Sequence, residues 1–172
     1  MRIVDIREVS VPLRGDVHNS MVNFAGHTVS LVAVKTDTPS NGRPLTGVAF
    51  NSIGRHAQGG ILRDRMVPRL LAADPDDLLD PSTGLLSPAR VLDRAMRDEK
   101  PGGHGDRAAA AAAVELAVWD LLAKHHDEPA HATIARAFGR PPATTGVPVY
   151  AAGGYYRPGD SLDRLRDEIA GY

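Results

Sequence analysis

The stretch that most constrains this chain is "RAAAAAAVELAVWDLLAKH", residues 107–125. Neither glycine nor proline interrupts it, and alanine is the strongest helix former. Val114, Leu116, Val118, Leu121 and Leu122 spread apolar surface widely around that helix, and Trp119 widens it further. A helix apolar over so much of its circumference must be buried between other elements. The rest of the chain must supply its cover.

Strand patterns come first. Ile3, Asp5 and Arg7 alternate loosely with Val4, Ile6 and Glu8 before Val9–Leu13, and "TVSLVAVKT" and "LTGVAFN" follow, rich in β-branched residues. "SNGR", residues 40–43, reads as the hairpin connection between the last two. A small antiparallel sheet is expected. Residues 14–27 lack periodicity and read as an excursion loop, of the length that more often serves function than filling. Residues 57–72 then place Ile61, Met66, Leu70 and Leu71 at helical spacing despite Pro68. Ser87 can cap a helix with Pro88 in its first position and Val91, Leu92 and Ala95 on its apolar side. A shorter helix over 130–138 ends at Gly139, and "RPPATTG" breaks the pattern.

Beyond the break, "VPVYAAGG" is apolar on both faces, as a buried parallel strand would be. "YYRPGDS" and "LDRLRDEIAGY" follow, with Leu162, Leu165, Ile169 and Tyr172 on one helical face and Asp160 or Ser161 as cap. That is the opening unit of a parallel α/β sheet, and its strand needs a second strand beyond the helix. The pattern predicts an α+β domain over 1–138, a linker over 139–146, and a second, parallel α/β domain cut off after its first unit, 147–172.

Composition excludes several classes. The formal net charge of −1 gives no pull toward nucleic acid or an anionic membrane. With no cysteine there is neither a disulfide framework nor a thiolate metal site. Arg2, Asp5, Arg7 and Glu8 break any signal-peptide core, and the longest apolar run, 108–114, is too short for a bilayer. A soluble, cytoplasmic protein is expected.

Two polar stretches are candidates for chemistry. "EKPGGHGDRA" formally contains a dinucleotide fingerprint, but a charged helix precedes it where a buried strand is required. No Gly-Lys-Ser/Thr is present, and Asp106 would put a carboxylate at the helix cap, where phosphate would need to sit. Glycines turning the chain into a capped helix account for most of the segment, leaving Lys100 as a possible anion contact. "FNSIGRHAQGG", residues 50–60, crowds Asn51, Ser52, Arg55, His56 and Gln58 between a strand end and a helix start. It suits hydroxyl and carboxylate recognition, or is an ordinary polar turn with a flexible double glycine. The seven histidines show no metal spacing, and His125 and His126 point about 100° apart on a helix. No nucleophile elbow, zinc motif or catalytic triad is recognisable.

The phrases "SLVAV", "FNSIGR", "QGG", "LLAADP", "EKPGGHGDR", "AVWD" and "VYAAGGYYRPG" run in order along nearly the whole chain. In this they resemble the N-terminal part of the mandelate racemase/muconate lactonizing group of the enolase superfamily, and within it the D-tartrate dehydratase subgroup. The resemblance implies an α+β capping domain, a three-stranded meander with a helical bundle, over a (β/α)₇β barrel. It implies a Mg²⁺-dependent hydro-lyase that removes the proton beside a carboxylate and eliminates water. The metal ligands and catalytic residues would all lie beyond residue 172, so no catalytic or metal residue is assigned here. The chain alone is expected to be inactive and to bind no metal. What it would keep are substrate contacts: Asn19 in the first loop, Asn51 and Arg55 in the second, Lys100, and Tyr155 and Tyr156 at the barrel rim. The implied partners are a small hydroxy-dicarboxylate and further copies of the complete enzyme. The alternatives are a non-catalytic hydroxy-acid-binding or assembly module, and an inactive truncation.

Overall fold

Alternation along the first three strands builds the sheet on which the remaining elements rest. In the computed structural model, β1 (Ile3–Pro12), β2 (Thr28–Ser40) and β3 (Arg43–Phe50) pair antiparallel in the order β1-β2-β3. The structure describes residues 1–172 except 52–56, 101–104, 144–145 and 156. Asn41 and Gly42 both take positive φ, 51° and 75°, the backbone a tight two-residue hairpin needs, so "SNGR" connects β2 to β3 as expected. On β2, Thr28, Ser30, Val32, Val34 and Thr36 all face inward and are buried.

Helix α4 (Asp106–His126) lies across that inner face, against β2 and β3 on one side and α3 and α5 on the other. Ala110, Ala113, Val114, Ala117, Val118 and Leu121 are fully buried. The expected apolar girdle is narrower than the sequence suggests, because Leu116 is exposed and Trp119 only half-buried. Close approach to the sheet depends on Gly47. A Cβ there would stand 2.6 Å from Leu121 Cβ and press on the Ala117 carbonyl.

Around this pair, α1 (Ala57–Ile61), a π-helical turn (Leu62–Met66) and α2 (Val67–Leu71) form one continuous helical run. The π turn has a local cause. Pro68 has no N–H to donate back along the helix, and widening the preceding turn relieves its ring of the carbonyl below. Met66 and Leu70 enter the core as expected, whereas Leu71 is exposed. A 3₁₀ turn (Pro75–Leu78) leads to α3 (Pro88–Ala95), whose Ser87 cap accepts from the Arg90 N–H at 3.4 Å. Helix α5 (Ala130–Ala137) follows α4.

The last segment corrects one expectation. Residues 147–151 form no strand, and Val149 is 88 % exposed. A strand holds its shape through hydrogen bonds to neighbours, and the three strands among the described residues all belong to the meander. Helix α6 (Leu162–Ala170) does form, with Ser161 accepting from the Arg164 N–H at 3.2 Å. Leu162 and Ile169 on it, and Tyr172 just beyond it, are exposed.

Candidate functional site

Antiparallel order brings the C-terminal ends of β1 and β3 and the start of β2 to one edge of the domain. The excursion after β1 and Asn51, which follows β3, therefore lie at the same end of the sheet. The first of these is closed at its base by the Leu13 N–H donating to the His27 carbonyl at 3.0 Å, and pinched in the middle by an isolated bridge between His18 and Asn23. Asn19 sits in that pinch. Its Oδ1 accepts from the N–H groups of Met21 at 2.9 Å and Val22 at 2.7 Å, so half of its amide shapes the turn.

Asn51 continues β3 through its side chain. Its N–H donates to the Ser30 carbonyl at 3.2 Å, and its Oδ1 accepts from the Ser30 N–H at 2.8 Å. The residue is only 4 % exposed, and its Nδ2 finds no partner among the described residues. A buried donor left unpaired costs about 1–3 kcal/mol. Arg55, expected beside it, lies outside the described residues, as does Tyr156.

The second stretch is tied to the third. Gln58, buried on α1, donates through Nε2 to Asp106 Oδ1 at 3.2 Å, while its own Oε1 has no partner among the described residues. Asp106 is thus not the expected cap. Gly105, with φ 87°, holds that position, and the Asp106 carboxylate turns sideways to Gln58. The first glycine of the pair has a packing reason. Gly59 is buried, and a Cβ on it would stand 2.7 Å from Glu8 Oε1.

Two buried carboxylates frame this edge, and sequence reasoning missed both. Glu8 has a fully buried side chain, bonded by Arg63 and, at 2.7 Å, by the Ser10 hydroxyl. Burial pushes its carboxyl up, but hydrogen bonds from Ser10, Ser30 and Arg63, with the Arg63 charge, outweigh this and hold it below the ordinary 4.5. The available signal was its phase, since Ile6, Glu8 and Ser10 share the inward face of β1. Glu99 is 2 % exposed at its side chain and meets Arg65, Arg69 at 2.7 Å and Arg107 at 3.5 Å. The Arg69 hydrogen bond first, against the opposing pull of burial, and then the Arg65 and Arg69 charges hold its carboxyl below 4.5. Arg65 and Arg69 fall four apart on one helical run, a spacing that could have pointed to a shared carboxylate.

Lys100, next to Glu99, is exposed and forms no ion pair among the described residues. Tyr155 reaches the first loop, its ring 6.0 Å from that of Phe24 in an edge-on contact. Leu13, Arg14, Gly15, Val17, Phe24 and Tyr155 line an open pocket of about 220 Å³. The structure therefore joins Tyr155 to the first loop and the Asn51 stretch to the start of α4. No hydrogen bond links Asn19, Asn51, Lys100 or Tyr155 to one another among the described residues. Nor do the described residues contain any group of three or more histidine or carboxylate side chains that could hold a metal ion. No helix among them is long and apolar enough to cross a membrane.

Known proteins share this arrangement. Over its whole length the chain resembles a mandelate racemase/muconate lactonizing enzyme-like protein from Rubrobacter xylanophilus, with 25 % identity and a TM-score of 0.63 across 99 % of the chain. A protein of the mandelate racemase/muconate lactonizing enzyme type from Roseovarius nubinhibens gives 23 % and 0.62 over 99 %. A magnesium complex of a protein of that type from the same organism gives 22 % and 0.63 over 99 %. The chain spans 40 % of the first of these proteins and 41 % of each of the others. The profile of the mandelate racemase/muconate lactonizing enzyme N-terminal domain matches residues 1–134, and the chain belongs to that family.

Proposed function

We propose that this domain is the substrate-selecting cap of a Mg²⁺-dependent acid-sugar dehydratase acting on D-tartrate or a related hydroxy-dicarboxylate, in an enzyme that assembles as a homo-oligomer. The observation that carries the reading is the Asn51 amide. Its oxygen is spent on Ser30 and its buried Nδ2 is left as a donor at the loop-bearing edge, as a ligand hydroxyl or carboxylate oxygen would require. Lys100 adds an exposed ammonium with no ion pair among the described residues, suited to the distal carboxylate of a diacid. The described residues do not fit the ion itself, so none of them is given a part in the metal chemistry. Their share is to bind and orient the substrate.

The test is kinetic and uses the enzyme that carries this domain. Lys100→Met keeps the stem and removes the charge. The expected loss is about 30- to 150-fold in kcat/KM on D-tartrate, or about 2–3 kcal/mol of transition-state stabilisation. Kinetics within about twofold of the parent on the best hydroxy-dicarboxylate would remove Lys100 from the site.

A further inference from the structure

We infer that Glu99 is a positioning residue for Lys100, a role that rests on the reading of Lys100 as a ligand contact. The chain leaves α3, turns at Asp98 with φ 62°, and starts at Glu99 the segment that re-enters α4 through Gly105 and Asp106. The Glu99 carboxylate is held by guanidinium groups from two different helical runs. Arg65 and Arg69 approach from the π turn and α2, and Arg107, in the first turn of α4, stands 3.5 Å away. Arg69 also donates to the Ala95 carbonyl at 2.9 Å, and the Glu99 N–H to the Met96 carbonyl at 3.1 Å. The residue before Lys100 is therefore fixed in both backbone and side chain. Gln58 ties the start of α4 through Asp106.

This arrangement also explains why Lys100 forms no ion pair among the described residues. A lysine beside a glutamate would ordinarily compete for its carboxylate. Here Oε1 is taken by Arg69 and Oε2 by Arg65, with Arg107 beside it. Three guanidinium groups against one carboxylate also leave a net positive neighbourhood, which disfavours any inward collapse of the ammonium. The cluster anchors the origin of the Lys100 side chain and sends its charge outward.

The experiment is backbone relaxation by NMR on the 172-residue chain. In the parent, Lys100 is expected to show an order parameter close to the rigid value of about 0.85. In Glu99→Gln it is expected to fall below about 0.6, while Leu121 in α4 stays rigid. An unchanged value at Lys100 would overturn the inference, and so would an equal fall at Leu121, which would mark Glu99 as general support for the fold. Should Glu99→Gln not fold, Arg107→Gln takes away one of the three guanidinium groups facing Glu99 and is read in the same way. Parental kinetics for Lys100→Met would remove the ligand role of Lys100 while leaving the relaxation result intact, so the two failures are distinguishable.

Discussion

Asp120 on α4 accepts a hydrogen bond from the backbone N–H of Val48 at 2.7 Å, so the long helix clasps the open edge of β3. Lys124, one turn on, donates to the Thr46 carbonyl at 3.1 Å and pairs with Asp120 at 2.6 Å. An edge strand with free backbone groups invites pairing with other chains, and here two side chains cover it. The phrase "AVWD" in the sequence thus has a physical reason, independent of any ligand.

Asp120→Ala should destabilise the domain by about 1–2 kcal/mol, less than a fully buried charged bond because the carboxylate is partly exposed. Urea unfolding followed by Trp119 fluorescence measures it. A midpoint equal to the parent's would mean that water replaces the clasp at no cost.

Gly47→Ala should be worse. The added methyl meets the α4 backbone, which cannot swing aside as a side chain could. Overpacking of this kind costs about 1–3 kcal/mol, and the rigid neighbour places Gly47 at the upper end. The paired control is Gly60→Ala on α1, where a Cβ would meet nothing nearer than Asp64 at 4.0 Å. Equal thermal midpoints for the two variants would refute the close-approach account.

Much of this was legible in the chain. Period-two alternation gave the strands, and an alanine run without breakers gave α4, because both signals are local. The Ser87 and Ser161 caps followed from chemistry confined to one turn. The roles of Glu8, Glu99 and Gly59 were not legible, since each depends on partners supplied by distant segments. The same limit explains residues 147–151. Their composition specifies a strand, but hydrogen-bonded neighbours must complete one. Among the candidate contacts, the sequence pointed to Asn51 as a polar residue but could not say that Ser30 would take its oxygen.

Acid should weaken the domain through the two buried carboxylates. Glu8 and Glu99 both lie below 4.5 in the folded protein, so folding favours their ionised forms. Their stabilising share is complete above about pH 5 and is lost as pH falls through the depressed folded values. Urea midpoints should therefore hold above about pH 5 and drop as the pH falls below it, and Glu99→Gln should show a smaller drop from a lower starting point. A variant whose midpoint falls as steeply as the parent's would show that Glu99 contributes nothing to the acid sensitivity.

The final expectation concerns the two parts of the chain. Leu121 lies at the centre of α4, fully buried, in a helix packed on a sheet and against two further helices. Opening its amide requires separating those layers, so its protection should approach that of global unfolding. Val149 stands at the other extreme, exposed and in no strand. Helix α6 is intermediate. It has its own cap and ion pairs from Arg164 to Asp160 and Arg166 to Asp163, but no buried residue on any face. Exposed pairs of this kind add only about 0.3–0.5 kcal/mol each, too little to hold so short a helix closed without packing. Amide exchange should accordingly rank Leu121 slowest, Leu165 next and Val149 fastest. Leu121 and Val149 should differ by at least about a hundredfold, since about 1.4 kcal/mol of opening free energy corresponds to tenfold. Equal protection at these two positions would mean that 147–172 folds as one cooperative unit with the cap, and would undo the division drawn between them.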